Sequence, residues 1–461
     1  MAPQNQLFLG SFIHSKSLEE LEFLHDAAIC VDSNGKIVAV EQQCDQRKAE
    51  EAVYPKLGWT ANEVKVNTCQ DGQFYFPGFI DTHLHASQYP NVGIFGKSTL
   101  LDWLNTYTFP MEASLKDPAK ARKVYGRAVQ KTLSHGTTTA AYYATVDVQS
   151  TNLLADICLA AGQRALVGRV CMDQLSPAWY RDESPEASVA ATRESIAYIG
   201  KIDPGFKLIR PVITPRFAPS CSRDLMTQLG ALHKESGLPV QTHISENKGE
   251  ISLVKDLFGS VADTYAGVYD AYGLLTDKTI LAHAIHLEDK EADLIKERDA
   301  KISHCPCSNS AITSGAARVR WLLNRGIDVG LGTDMSGGYS PSVLEAARLA
   351  SLVSRHVAMG GDDGAKLSSE EVLYLATRGG AKVVGLSDRV GAFEVGMEWD
   401  AQLIGLGDVD QDGLVEGEDT NVDVFGWESW EDRIAKWLFN GDDRNTRKVW
   451  VMGRLVHERA Q

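Results

Sequence analysis

The strongest constraint on this chain is an alternation that repeats eight times. Between residues 76 and about 334, short apolar runs rich in β-formers recur, with helix-like stretches such as "SRDLMTQLGALHKES" and "LEDKEADLIKERDA" between most of them. The runs are "FIDTHLH" (79–85), "TTTAAYY" (137–143), "RALVGRVC" (164–171), "KLIRPVITPRF" (207–217), "LPVQTHISE" (238–246), "TILAHAIH" (279–286), "KISHCP" (301–306) and "IDVGLGTD" (327–334). Eight strand–helix units over about 260 residues is the arithmetic of a (β/α)8 TIM-like barrel, so the expected class is α/β. The flanks read differently. Residues 1–75 carry "LFLGSFI" and "AAICVDSNGKIVAVE", where Ser33-Asn34-Gly35 signals a hairpin turn. Residues 391–461 carry "GAFEVGMEWDAQLIGL" and "KVWVMGRLV". The expected organisation is a barrel at 76–390 beside a small β-sandwich domain assembled from 1–75 and 391–461.

Composition narrows the partners. The 461 residues are 44% hydrophobic, enough for a large core, and the formal charge is -15. Nucleic acid and anionic membrane surfaces both call for clustered Lys and Arg, so neither is expected as the main partner. No apolar run reaches the roughly 18 residues of a spanning helix. The start, "MAPQNQLFLGSF", lacks the basic residue that precedes the apolar stretch of a secretory signal. Eight cysteines are too sparse here for a disulfide scaffold. The expectation is a cytoplasmic protein with reduced thiols and a small-molecule ligand.

Ionisable and polar residues collect at the C-terminal ends of the runs: His83, His85, Arg216, His243, Glu246, His283, His304 and Asp334. Barrel enzymes build their sites at that end. Alternate strand residues share a face, so His83 and His85 aim together. Such a pair alone is as readily an accident of surface or core. His243, His283 and Asp334 give it company, because the strand ends of a barrel converge on one axis. His and Asp together suit a borderline divalent cation such as Zn²⁺. Glu246, after Ser245, reads equally as a carboxylate at a helix N-terminus. Gln88, three residues past His85, carries an amide that both donates and accepts. Arg216 offers a rigid fork for an acceptor pair, and Phe217 a flat face. By spacing alone, Gln88 and Arg216 read as well as surface residues, with Arg216 pairing a nearby carboxylate.

"PGFIDTHLH", His243, His283, "HCPCSN", "GLGTD" and the tail "VGAFEVGMEWDAQLI" together resemble the amidohydrolase superfamily over nearly the whole chain. Within it, "DTHLHASQYP", "LLDWLNTYTFP", "TPRFAPSCS", "HISEN" and "GLGTDMSGGYS" resemble the guanine deaminases. The resemblance implies one Zn²⁺ per subunit held by His83, His85, His243 and Asp334, with Glu246 as proton shuttle and His283 beside the attacking water. It implies that Gln88, Arg216 and Phe217, with Glu246 and His283, bind the substrate. The fourth run ends in Arg216 and Phe217, and Lys207 lies at its other end, so no lysine stands where two-metal relatives bridge their ions.

The implied reaction is hydrolytic deamination of guanine to xanthine and ammonia, part of purine salvage. Glu246 would protonate ring N3, and Asp334 would take a proton from the water attacking C2. Cytidine deaminases reach similar chemistry through H-x-E and P-C-x-x-C, but this chain has only Cys305-Pro306-Cys307. A rival within the superfamily is a deaminase or chlorohydrolase acting on another aminated heterocycle: a triazine, a pterin or an adenosine derivative. A scaffold without activity would show a broken ligand set. The relatives also imply a homodimer.

Other features carry less. His304 is expected to shape the surroundings of the ligands, and His286 is assigned no role. Cys307 stands where the family usually has Asn ("HCPNSN"), while Asn309 keeps the "SN". "DVDQDGLVEGED" (408–419) matches the first half of a calcium loop, with Asp419 in place of the closing Glu. An acidic solvated loop is the simpler reading.

Overall fold

In the computed structural model, which describes residues 4–97, 99–416 and 420–459, every one of the eight runs contains a strand. These are β1 (Phe79–His85), β2 (Thr137–Tyr143), β3 (Arg164–Gly168, continued by Val170–Cys171) and β4 (Ile209–Pro211, then Thr214–Pro215). They continue as β5 (Val240–Ile244), β6 (Thr279–His283), β7 (Lys301–His304) and β8 (Val329–Leu331). Neighbours pair in parallel, β1 to β4 in one set and β5 to β8 in another. A parallel bridge from Ile213 to Val240 joins the sets. At the other junction, Asp334 N donates to His83 O at 2.8 Å, and His85 N to Met335 O at 2.9 Å.

All seven residues of β1 are buried, as a parallel strand requires when helices cover it. The covering helices follow their sequence signals. Arg223–Ser236 begins at Ser222, whose side chain accepts from Leu225 N, and ends at Gly237 with φ +64°. Its buried stripe of Leu225, Met226, Leu229 and Leu232 recurs at helical spacing. Each such side chain contributes roughly 1.5–3 kcal/mol of burial.

The strands are shorter than the runs, for a reason that bears on function. The chain leaves regular geometry where the site residues lie: Ser245 has φ +49°, His283 +73° and Asp334 +45°. Non-glycine residues adopt this region at a cost of order 1–3 kcal/mol, and such strain gathers at functional sites. Within β1 the pairing register shifts between Asp81 and Leu84, so His83 is aimed by a bulge as well as by alternation. The fourth run breaks because Pro211 and Pro215 lack the N–H of a continuous ladder.

The two chain ends meet in an eight-stranded sheet. Asn5–Ser15 lies at its centre, pairing Leu21–Val31, Val64–Thr68 and Gln73–Pro77, while Ala401–Gly405, Thr446–Val451 and Arg454–Glu458 extend the far side. The expected hairpin is present: Asp32 Oδ1 accepts from Asn34 N and Lys36 N, and Gly35 takes φ +83°. An aromatic core of Phe8, Phe12, Tyr75, Trp399 and Trp450 fills this part, with the Phe8 and Trp399 rings 4.2 Å apart. In the acidic loop, Asp410 Oδ1 accepts from Asp412 N and Leu414 N and so builds a turn; Asp419 lies outside the described residues. Among the described residues no helix is long and apolar enough to cross a membrane.

Candidate active site

A cavity opens at the C-terminal ends of the parallel strands. Its walls include His85, Gln88, Arg216, Phe217, His243, Glu246, His283 and Asp334, with Trp103 and Leu104 over them. Of the residues expected at a site, only His83 is set beneath the wall rather than in it. His83 Nε2 and His85 Nε2 lie 3.3 and 3.4 Å from the same oxygen, Asp334 Oδ1. One donor atom from each of His83, His85 and His243 falls within 4.8 Å of the others. Tyr143, at the end of β2, packs its ring 4.8 Å from His83 and 4.6 Å from His85.

Three observations test whether this set could hold a metal ion. His83 Nε2 is buried with no hydrogen-bond partner, an arrangement that costs about 1–3 kcal/mol unless something occupies it. Burial lowers the pKa of His83, and burial plus the neighbouring histidines push His85 and His243 well below the ordinary value, which favours the neutral form a ligand needs. Asp334 is ionised: burial opposes this, but His83, His283 and His243 hold its carboxyl at about 2. The donor set of imidazoles and one carboxylate fits a divalent ion such as Zn²⁺. Cys305 Sγ also lies within 4.8 Å of donor atoms of His83 and His283. Burial raises its pKa far above the usual thiol value, which keeps it protonated.

Positioning comes from partners one layer out. His243 Nδ1 donates to Arg216 O at 2.6 Å, which turns Nε2 towards the other imidazoles. His283 Nδ1 meets Asn309 Oδ1 at 2.8 Å, leaving Nε2 3.5 Å from Glu246 Oε2 and 3.8 Å from Asp334 Oδ2. Asp81 ties β1 to the loop after β8, accepting from Thr333 N at 3.0 Å and Thr333 Oγ1 at 2.6 Å. A side chain at Gly332 would bring its Cβ to 2.9 Å from His83 Cβ, so only glycine permits this approach.

Glu246 is not the helix-capping carboxylate that its position also suggested. Asn247 caps the following helix, and Glu250 closes the capping box, accepting from Asn247 N at 3.1 Å and also from Glu246 N at 2.9 Å. The Glu246 side chain is thereby left to the cavity, where Ser314 Oγ donates to it at 3.3 Å. Burial pushes its carboxyl up to about 7, against the pull of His283. His283 moves up as well: burial lowers its pKa, but Glu246 and Asp334 outweigh that. A carboxyl poised near neutrality beside an imidazole is suited to moving protons.

The opposite wall is charged but internally paired. Arg216 donates to both oxygens of the buried Glu112, at 2.7 and 3.2 Å. Gln88 Nε2 donates to Glu112 Oε1 at 2.7 Å, and Tyr180 Oη to Glu112 Oε2 at 2.6 Å. Phe109 lies 5.2 Å from the Arg216 guanidinium. Gln88 and Arg216 are therefore not surface residues, since both are buried in the cavity wall, although Arg216 does pair with a carboxylate. Glu112, Tyr180 and Asn309 escaped the sequence reading; the one signal for Asn309 was the retained "SN". His304 does not join the cluster. It lines a separate hollow with Ala317, Arg318 and Trp321, and both of its ring nitrogens lack partners.

A parallel α/β fold with imidazoles, a carboxylate and a buried acid at one strand end defines a hydrolase of the metal-dependent TIM-barrel type. The chain belongs to the amidohydrolase family, whose profile matches residues 74–456, and within it groups with the guanine deaminases. It is 49% identical over 453 residues to the "Probable guanine deaminase" of Schizosaccharomyces pombe, covering 98% of this chain and 83% of that one. It is 39% identical over 460 residues to the guanine deaminase of Homo sapiens, covering 99% and 97%. The crystal structure of guanine deaminase from C. acetobutylicum, with guanine bound in its active site, superposes with a TM-score of 0.86 at 34% identity, covering 98% of this chain and all of that one (100%).

Proposed function

We propose that this protein is a zinc-dependent hydrolase that converts guanine and water to xanthine and ammonia. The observation that carries the reading is one cavity with two chemistries: a neutral histidine set around Asp334 on one wall, and Arg216 with Gln88 on the other. The named relatives support the same substrate. His83, His85, His243 and Asp334 would hold the ion. When bound, the ion supplies Lewis acidity that makes water a nucleophile at neutral pH.

The chain's own residues do the rest. Asp334, ionised and aimed into the cavity, accepts a proton from the attacking water. Glu246 in its protonated form donates to ring N3 and makes C2 electrophilic; its carboxylate then takes the proton of the new C2 hydroxyl and passes it to the amine as the C–N bond breaks, and the proton held on Asp334 returns to Glu246. His283, its Nδ1 anchored on Asn309, keeps Nε2 beside Glu246 and stabilises negative charge at C2 oxygen. Arg216, Gln88 and Phe217 orient the ring, and the apolar Trp103 and Leu104 exclude water.

The reading carries further expectations. The backbone bonds between β4 and β5 and between β8 and β1 support a closed barrel at 76–390. The end sheet, which includes Gln73–Pro77, supports a small sandwich domain from 1–75 and 391–461. A cytoplasmic location rests on the sparse cysteines and composition, and a homodimer on the resemblance alone.

The test is ammonia release and loss of guanine absorbance with purified zinc-loaded protein, beside a panel of triazines, pterins and adenosine derivatives. Guanine turnover above the rest is expected. Turnover of another ring with none of guanine overturns the substrate and leaves the superfamily rival.

A further inference from the structure

Glu112 stands outside every role assigned above, yet it is the most heavily bonded side chain on the recognition wall. Four donors converge on its two oxygens: Gln88 Nε2, Tyr180 Oη and two N–H groups of Arg216. It is fully buried, at 0% exposure, and belongs to the short helix Phe109–Ala113 rather than to any strand. A carboxylate only accepts hydrogen bonds. The amide nitrogen of Gln88 must therefore face it, and the amide cannot turn over without setting oxygen against oxygen.

The consequence falls on the cavity. Gln88 Oε1 is left buried with no donor, so the amide is held with its oxygen open to the cavity as an acceptor. Arg216, with two of its N–H groups on Glu112, presents donors. We propose that Glu112 is a positioning residue that sets which edge of a purine the site accepts, by locking Gln88 as an acceptor beside the Arg216 donors. The matching edge carries a ring N–H next to a carbonyl oxygen, as at N1 and C6 of guanine. A 6-amino purine offers the reverse, an acceptor nitrogen beside an amino donor, and meets acceptor with acceptor and donor with donor. Sites built on such buried hydrogen bonds discriminate strongly, because the mismatch leaves polar groups unpaired. This inference rests on the guanine reading.

The test compares guanine with 2,6-diaminopurine, which keeps the 2-amino leaving group and changes only the 6-edge. Glu112→Gln replaces an obligate acceptor by an amide that donates as well, so Gln88 is free to turn. The expected result is an increase in KM for guanine, kcat within a few fold, unchanged zinc content, and a preference for guanine lowered by about 10- to 100-fold. The exchange Gln88→Glu with Glu112→Gln keeps the atoms and the charge, and fixes an acceptor at position 88. It is expected to recover most of the lost preference, and it decides the matter if the single variant does not fold. An unaltered preference in Glu112→Gln, an equal loss of kcat on both purines, or no recovery in the exchange overturns the inference. A wild-type protein inert towards guanine overturns the functional reading, and this inference with it. Wild-type activity with any of those variant results overturns the inference alone.

Discussion

The two walls of the cavity solve opposite problems. On the histidine wall, His283 Nε2 and, beneath it, His83 Nε2 are buried without hydrogen-bond partners, and His283 and Asp334 hold positive φ. On the opposite wall, Arg216, Gln88 and Tyr180 all bond to Glu112, and Gln88 Oε1 is left without a partner. The first wall leaves buried polar atoms unpaired, as a set of ligands for an ion would. The second is pre-organised, holding its charge in a ready-made ion pair so that little ordering remains when a ring arrives. On the proposed function, reaction and selection would rest on different physics within one pocket.

The largest expected effect separates chemistry from binding on the first wall. Glu246→Gln should lower kcat by about 10³-fold while zinc content, read by elemental analysis, stays at the wild-type level. Retention of more than a tenth of the activity would move the proton shuttle elsewhere. Next is Arg216→Lys on the second wall. A single ammonium cannot reproduce the two-point contact with Glu112, and KM for guanine should rise by about 10²-fold with little change in kcat. A fall in kcat with KM constant would break the division of labour between the walls.

Stripping the metal sharpens the same contrast. Chelated wild-type protein should lose turnover and unfold a few degrees lower, because an ion that binds only the native state stabilises it by mass action. It should still bind xanthine in calorimetry with Kd within about tenfold of the zinc-loaded value, since the recognition wall needs no ion to be complete. Loss of all binding would mean that the metal organises both walls. The smallest effect on catalysis lies farthest away. Trp399→Phe in the end-sheet core should cost about 1–3 kcal/mol in denaturant unfolding and leave kcat/KM unchanged.

Much of the frame was legible because barrel strands announce themselves locally. Seven buried residues in "FIDTHLH" and a glycine-bounded "GLGTD" are patterns of neighbouring residues, and the period of a strand puts His83 and His85 on one target. The ends of the strands were harder. Val329–Leu331 is only the start of the run expected at 327–334, because the backbone turns away to deliver Asp334, and periodicity does not register a turn of that kind. His304 shows the same limit. It ends a strand as its neighbours do, but faces the helices, since the face of a strand-end residue depends on where the pleat stops.

By itself, then, the sequence determined the strand–helix alternation, the sheet made from both chain ends, and the collection of His83, His85, His243, His283, Glu246 and Asp334 at one end of the strands. These are consequences of short-range periodicity and of connection rules. Only the tertiary structure decided that Glu246 leaves helix capping to Asn247 and Glu250, that Asn309 anchors His283, and that Glu112 gathers Gln88, Tyr180 and Arg216. The physical reason is distance along the chain. Arg216 stands 104 residues from Glu112 and Tyr180 stands 68 away, so nothing in "TFPMEA" marks its carboxylate as different from any other in the first turn of a helix.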